Sequence, residues 1–245
     1  MIDVSLQLLA LAPEAVRRQL EPRLRPLRAR KGQTVIGVGA YPDDVLFIVD
    51  GEAEVTLHAV SGREVSVRRL GPGDNFGDLA AVDGLPRSAS VVALSELRLN
   101  ALTRGDFLIC LASSPDAGMW FARRMVSEVR RLTDKVFELS ALSVQARLLC
   151  ELLRLARAAD CVGASMVTIR PAPTHAVLAS RIAAQREAVS RELQALAGRG
   201  LLRHDRRTLE FPDLEALERE VSRVAGVLAE PIVSRSGLPP GRLNP

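Results

Sequence analysis
Asp78, Arg87 and Ser88 lie within one short stretch and together have the chemistry to hold a phosphorylated sugar. The stretch runs from Gly71 to Ser90 and reads GPGDNFGDLAAVDGLPRSAS. Arg87 supplies a planar guanidinium that grips a phosphate through two hydrogen bonds, and Ser88 adds a hydroxyl. A helical turn opening near Gly77 would aim unpaired backbone N–H groups at the same anion. Phe76, Gly77 and Leu79 frame that cradle. Asp78, nine positions before Arg87, is placed to accept from a sugar hydroxyl. A bare surface turn, with Arg87 paired to Asp78 or Asp83, is the simpler alternative. The complete order of the stretch, with strands on both sides, favours the nucleotide cradle.

A second stretch carries the chemistry of base-pair edges. Thr174 to Arg199 reads THAVLASRIAAQREAVSRELQALAGR. Thr174 caps a helix to about Ile182, a tight turn follows at Ala183 to Gln185, and a second helix runs from Arg186 to about Ala197. Val177, Leu178, Ile182, Val189 and Leu193 form the shared core of a two-helix hairpin. A generic hairpin is the simpler alternative, and the residues on its second helix and the local charge favour a helix-turn-helix. Arg186 and Arg191 donate as guanine requires, and Glu187 accepts as cytosine requires. Leu201 to Leu209 reads as a hairpin wing that sets Arg206 and Arg207 beside phosphates. Between Ser143 and Phe211 there are eleven arginines against six carboxylates, an excess above the +4 of the whole chain. The positive charge therefore sits where a polyanion would bind. Thr174, Gln185, Arg186, Glu187, Ser190, Arg191, Arg206 and Arg207 are the candidate DNA contacts.

The elements that position these residues follow from the apolar pattern. Leu6 to Leu20 predicts one short helix with Pro13 in its first turn. Short β-branched runs at Val35-Ile36, Val45–Val49, Ala53–Leu57, Val65–Leu70, Ser90–Leu94 and Leu97–Leu102 predict strands of a small antiparallel barrel or sandwich. Asp50-Gly51 and Ser61-Gly62 mark turns. After Pro115 a long helix runs to about Leu139. Ala122, Met125, Val129, Leu132, Val136 and Leu139 alternate steps of three and four. A helix that packs this stripe on its own barrel is the simpler alternative, and the spacing of about 3.5 residues favours the seam of a parallel two-stranded dimer helix. Ser140–Ser143 is a hinge, with Ser143 capping the next helix, Val144 to Ala159. Val167 to Arg170 predicts a short strand. Leu214 to Leu228 predicts a helix, and the Pro- and Gly-rich remainder a loose tail.

Gly77-Asp78-Leu79 followed by Arg87-Ser88-Ala89 resembles the phosphate-binding cassette of cyclic-nucleotide-binding domains. Asp78 stands where that family usually has Glu, one methylene longer. With the winged helix-turn-helix, Leu6 to Pro212 resembles the cyclic-AMP receptor protein / fumarate-nitrate regulator (Crp/Fnr) family of bacterial transcription regulators. The resemblance implies an α+β fold: an N-terminal jelly-roll-type antiparallel β-barrel, a long dimerisation helix and a C-terminal winged helix-turn-helix. The expected divisions are a cyclic-nucleotide-binding-like sensor domain at 1–115, the dimerisation helix and hinge at 116–142, the DNA-binding domain at 143–212, and an extension at 213–245. It implies a homodimer on palindromic double-stranded DNA with TGTGA-like half-sites, RNA polymerase as a further partner, and cAMP or cGMP as a non-covalent effector. The family's base-contacting Thr-Ser pair falls on Leu132 and Thr133, so one hydroxyl survives and discrimination between the two purines is expected to be weak. In the family Arg186, Glu187 and Arg191 read base edges. A regulator of the same family with a vestigial cassette, answering another signal or none, stays open.

Composition closes off other classes. The 245 residues are 47% hydrophobic and 25% charged, ordinary for a globular chain. His58, His175 and His204 are scattered, and no Ser-His-Asp or Cys-His order has known motif spacing, so no enzyme is expected. Cys110, Cys150 and Cys161 form no CxxC pair, which suits a reducing compartment and argues against disulfides. None precedes Cys110, against an N-terminal iron–sulfur cluster, and only His58 is available as a haem ligand near the barrel. No signal peptide and no membrane-spanning run is evident, so a cytoplasmic location is expected.

Overall fold
The computed structural model describes residues 4–41, 44–58, 64–159, 166–205 and 207–225. They form two compact units, the first ending at Ser127 and the second beginning at Glu128. Ser61-Gly62, Cys161, Arg206 and the tail beyond Ala225 lie outside the described residues.

The first unit opens with α1 (Val4–Ala10) and α2 (Glu14–Leu20), where the apolar spacing predicts a single helix. Pro13 divides the run: it has no N–H to continue the first helix, and it flanks the start of the second. The strands are β1 (Arg25–Ala29), β2 (Thr34–Ile36), β3 (Asp44–Asp50), β4 (Ala53–His58), β5 (Glu64–Leu70) and β6 (Asn75–Phe76). The short helix α3 (Asp78–Asp83) separates them from β7 (Ser90–Ala93) and β8 (Leu97–Thr103). They form two four-stranded antiparallel sheets, β1-β8-β3-β6 and β2-β7-β4-β5, which do not close into a barrel. β1 escapes the sequence pattern because it is an edge strand, exposed along most of its length and containing Pro26.

Leu46, Ile48, Leu97 and Leu99 of one sheet pack with Ala53, Leu70, Val91 and Ala93 of the other, and Phe76 joins them. Val45 and Phe47 point the other way, into a second core with Leu8, Leu9, Leu20 and Phe107. So β3 is buried on both faces, which explains its unbroken apolar run. Phe107 lies on α4 (Arg104–Ala112), whose first turn is capped by Thr103 accepting from the Asp106 N–H. After it comes α5 (Pro115–Ala141), the longest helix among the described residues.

In the second unit, Ser143 caps α6 (Val144–Ala158) by accepting from the Ala146 N–H, as its position predicts. Then come β9 (Val167–Ile169), α7 (His175–Arg181), α8 (Arg186–Gly198), β10 (Arg203–His204), β11 (Leu209–Phe211) and α9 (Leu214–Ala225). The order β10-β11-β9 makes a three-stranded antiparallel wing sheet. Leu148, Leu149, Leu152, Leu178, Ile182, Val189, Leu193 and Phe211 share one core, to which α9 adds Leu217 and Val221. Among the described residues no helix is long and apolar enough to cross a membrane.

Candidate functional site
Arg87 is 7% exposed, and its place in the cradle is set by backbone. Its own N–H donates to Ala40 O and its carbonyl accepts from Gly39 N, each at 2.8 Å. One guanidinium nitrogen donates to Gly77 O and the other to Asp44 O, both at 2.6 Å. Gly77 has φ +85° and flanks the start of α3. A Cβ there would lie 2.5 Å from the Arg87 guanidinium and 3.0 Å from Asp44 O. Only glycine lets the arginine lie so close in that backbone conformation. Arg87 thus has a structural task, bracing two carbonyls, beside any ligand it meets.

Asp78 is the first residue of α3 and accepts from Asn75 Nδ2 at 2.9 Å. Burial pushes its carboxyl above the ordinary carboxylate range, opposed by the Asn75 hydrogen bond and the nearby Arg124. Asn75 is itself buried, and its Oδ1 finds no partner among the described residues. Arg124 lies 3.6 Å from Asp74, which also pairs with Arg68 at 2.5 Å, and stacks 5.1 Å above the Trp120 ring. Asn75, Asp44 and Arg124 escape the sequence reading. Arg124 carried one signal, since it sits off the apolar seam one helical turn from the only tryptophan. Ser88 is exposed, Phe76 is buried in the sandwich core, and Leu79 faces outward at 48% exposure.

On α5 the side chains of Ala122, Val129, Leu132, Val136 and Leu139 are exposed and that of Met125 half-buried. Thr133 donates its hydroxyl hydrogen to Val129 O at 2.9 Å, so towards a ligand its oxygen is left as an acceptor. Leu132 and Thr133 fall in the second unit, and Gly77 to Ser88 in the first.

The second unit builds the candidate DNA face. Thr174 caps α7, accepting from Val177 N at 3.2 Å. The turn into α8 places Ala183 at φ +51°, a left-handed conformation in which a Cβ is unfavourable. Gln185 flanks the start of α8, and Gln185, Arg186, Glu187 and Arg191 are all exposed. Arg186 and Ser190 are four apart, as are Glu187 and Arg191, so they form adjacent rows on one face. In the wing, Asp205 accepts from Arg207 N and from both the N–H and hydroxyl of Thr208. These bonds, the Arg207 N–H first, hold its carboxyl below the ordinary range. Arg207 is exposed, and Arg206 lies outside the described residues.

Behind that face lies an ion network that the sequence does not announce. Glu138, near the end of α5, pairs with Arg154 of α6. Arg154 also pairs with Glu151, and Glu151 with Arg181 at the end of α7. Lys135 of α5 donates to the Arg181 carbonyl. Arg147 donates to Ile182 O at 2.7 Å. Burial pushes the Glu138 carboxyl up and the Lys135 ammonium down, each partly opposed by its partners. The end of α7, where the helix-turn-helix turn begins, is therefore tied to α5 and α6.

The family model of the cyclic nucleotide-binding domain matches residues 26–114, and that of the Crp-like helix-turn-helix domain matches residues 146–220. A "Cyclic AMP receptor protein" of Thermus thermophilus is 32% identical over 214 residues, covering 85% of this chain and 93% of the relative. The chain belongs to the Crp/Fnr family of transcription regulators. A second Crp/Fnr relative, the "CRP-like cAMP-activated global transcriptional regulator" of Mycobacterium tuberculosis, is 27% identical over 82% of this chain and 89% of its own length. Among solved structures, a CRP-family transcriptional regulator from Thermus thermophilus superposes with a TM-score of 0.66. That similarity spans 80% of this chain and 96% of the other, at 26% identity.

Proposed function
We propose that the chain is a homodimeric transcription regulator gated by a cyclic nucleotide, cAMP or cGMP, and acting in the cytoplasm on palindromic DNA. Arg87 and Ser88 hold the cyclic phosphate, Asp78 accepts from the ribose hydroxyl, and Phe76, Gly77 and Leu79 shape the cradle. Leu132 and Thr133 meet the base. The seam Ala122, Met125, Val129, Leu132, Val136, Leu139 pairs with that of a second copy; its exposed apolar stripe is what an unpaired coiled-coil helix presents. Two recognition helices then enter successive major grooves about one helical turn apart, on TGTGA-like half-sites. RNA polymerase is the further partner of such a regulator.

The observation that carries this reading is the fit of Arg87 beside Gly77 at the opening of α3, with a half-buried Asp78 one residue on. Calorimetric titration with cAMP and with cGMP tests it. Both are expected to bind, with modest discrimination, because one hydroxyl acceptor at Thr133 is a weak reader of the purine edge. Arg87→Lys keeps the charge but loses the two-nitrogen fork and is expected to weaken binding by at least tenfold. The parent affinity retained in that variant removes the assignment of the phosphate site. One observation favours the vestigial-cassette reading: the Arg87 guanidinium already bonds two carbonyls. Absence of heat with either nucleotide selects that reading.

A further inference from the structure
The chain has three histidines, and the fold brings two that are distant in sequence together on the candidate DNA face. His175, the first residue of α7, and His204, in β10, meet edge to face with ring centroids 5.8 Å apart. His175 Nδ1 also lies 2.7 Å from Ser190 Oγ on α8. Start of the first helix, recognition helix and wing are thereby joined through one imidazole.

The tautomer follows from the Ser190 hydroxyl. It has one hydrogen, which goes to the Arg186 carbonyl at 3.0 Å, an acceptor only. With that bond made, Ser190 Oγ accepts from His175 Nδ1–H. Nε2 is then the nitrogen left to take a proton. The groups around the ring are cationic or neutral: Arg186 and Ser190 from α8 and His204 from β10. The neighbouring wing carboxylate, Asp205, is committed to Arg207 N and Thr208. Burial first, then His204 and Arg186, hold the His175 imidazole below its ordinary range. In the free protein both the packing and the charges disfavour the imidazolium.

We propose that His175 and His204 form a proton-linked site for a phosphate of the DNA backbone. The inference rests on the DNA-binding reading above and adds a contact that reading does not use. A phosphate drawn to the exposed Arg186 and the wing would bring the negative charge the pair lacks. The imidazole then takes up a proton from solution, and imidazolium and phosphate form a charge-assisted pair. Because uptake accompanies binding, affinity rises as pH falls through the histidine range.

The probe is a short mixed-sequence duplex, since a backbone contact is independent of sequence. Affinity is read by fluorescence anisotropy at fixed ionic strength near pH 8 and near pH 6, for the parent, His175→Gln and His204→Gln. The parent is expected to bind about three- to tenfold tighter at the lower pH, the range open to one linked proton. Each Gln variant should match the parent at the higher pH and lose most of that gain. A parent affinity equal at the two pH values, or a full gain kept in both variants, overturns the proposal. A second readout on the parent guards against folding defects: the His175 ring resonance, titrated by NMR, should show a higher pKa with duplex than without. An unchanged or lower pKa also overturns it. Absence of duplex binding at both pH values instead removes the DNA-binding reading itself.

Discussion

At the scale of single residues, the cassette was legible because its parts are local in sequence and its glycine has one reason to be there. The rest was hidden by distance along the chain. Nothing near Arg87 reveals that Asp44 supplies one of its carbonyl partners, or that Arg124 reaches into the field of Asp78. The half-buried Asp78 carboxyl leads to a prediction. Its raised pKa means that, as pH rises through the range above 3.8, charging it costs the unliganded fold stability. A sugar hydroxyl donating to it favours the carboxylate, so ligand binding releases protons there. Cyclic-nucleotide affinity should weaken on going from neutral to acid pH and be flat in Asp78→Asn, as calorimetry at two pH values would read. Ala183 gives a second prediction. A Cβ at φ +51° costs about 1 kcal/mol, so Ala183→Gly should raise the thermal midpoint even though glycine loosens the unfolded chain. A lower midpoint would mean that Ala183 is not strained.

At the scale of elements, those with a strong period were readable and those without were not. The seam of α5 and the apolar spacing of α6 and α8 define themselves. The edge strand β1, with Pro26, and the two-residue β6 carry too little pattern to be seen. The helix-turn-helix and its wing should separate by function when mutated. Glu187→Ala on the exposed face of α8 should relax preference at one base pair by about 1–3 kcal/mol, leaving non-specific affinity nearly intact. Arg207→Ala in the wing should weaken every sequence alike and reduce the salt slope by about one charge. Selection from random DNA, followed by salt titration, distinguishes these outcomes. Identical motifs and slopes in both variants would remove the recognition-helix assignment.

At the scale of the whole molecule, the chain is two units sharing one helix, and apolar periodicity shows the helix but not where it changes allegiance. Ser140–Ser143 reads as the hinge, yet the last turns of α5 are bound to the helices beyond it. Lys135 and Glu138 reach over that short break to Arg181 and Arg154. A fragment cut at Ser143 would therefore be an amputated domain, with Arg154 deprived of Glu138 and the Arg181 carbonyl deprived of Lys135. Removing one member of a buried pair costs about 3–5 kcal/mol. A fragment spanning 128–225 should melt well above one spanning 143–225, as followed by circular dichroism, with equal midpoints showing that the network is ornamental. The same wiring makes α5 a lever arm. A twist imposed on its C-terminal turns would be delivered, through a lysine and a glutamate, to the corner ahead of the recognition helix.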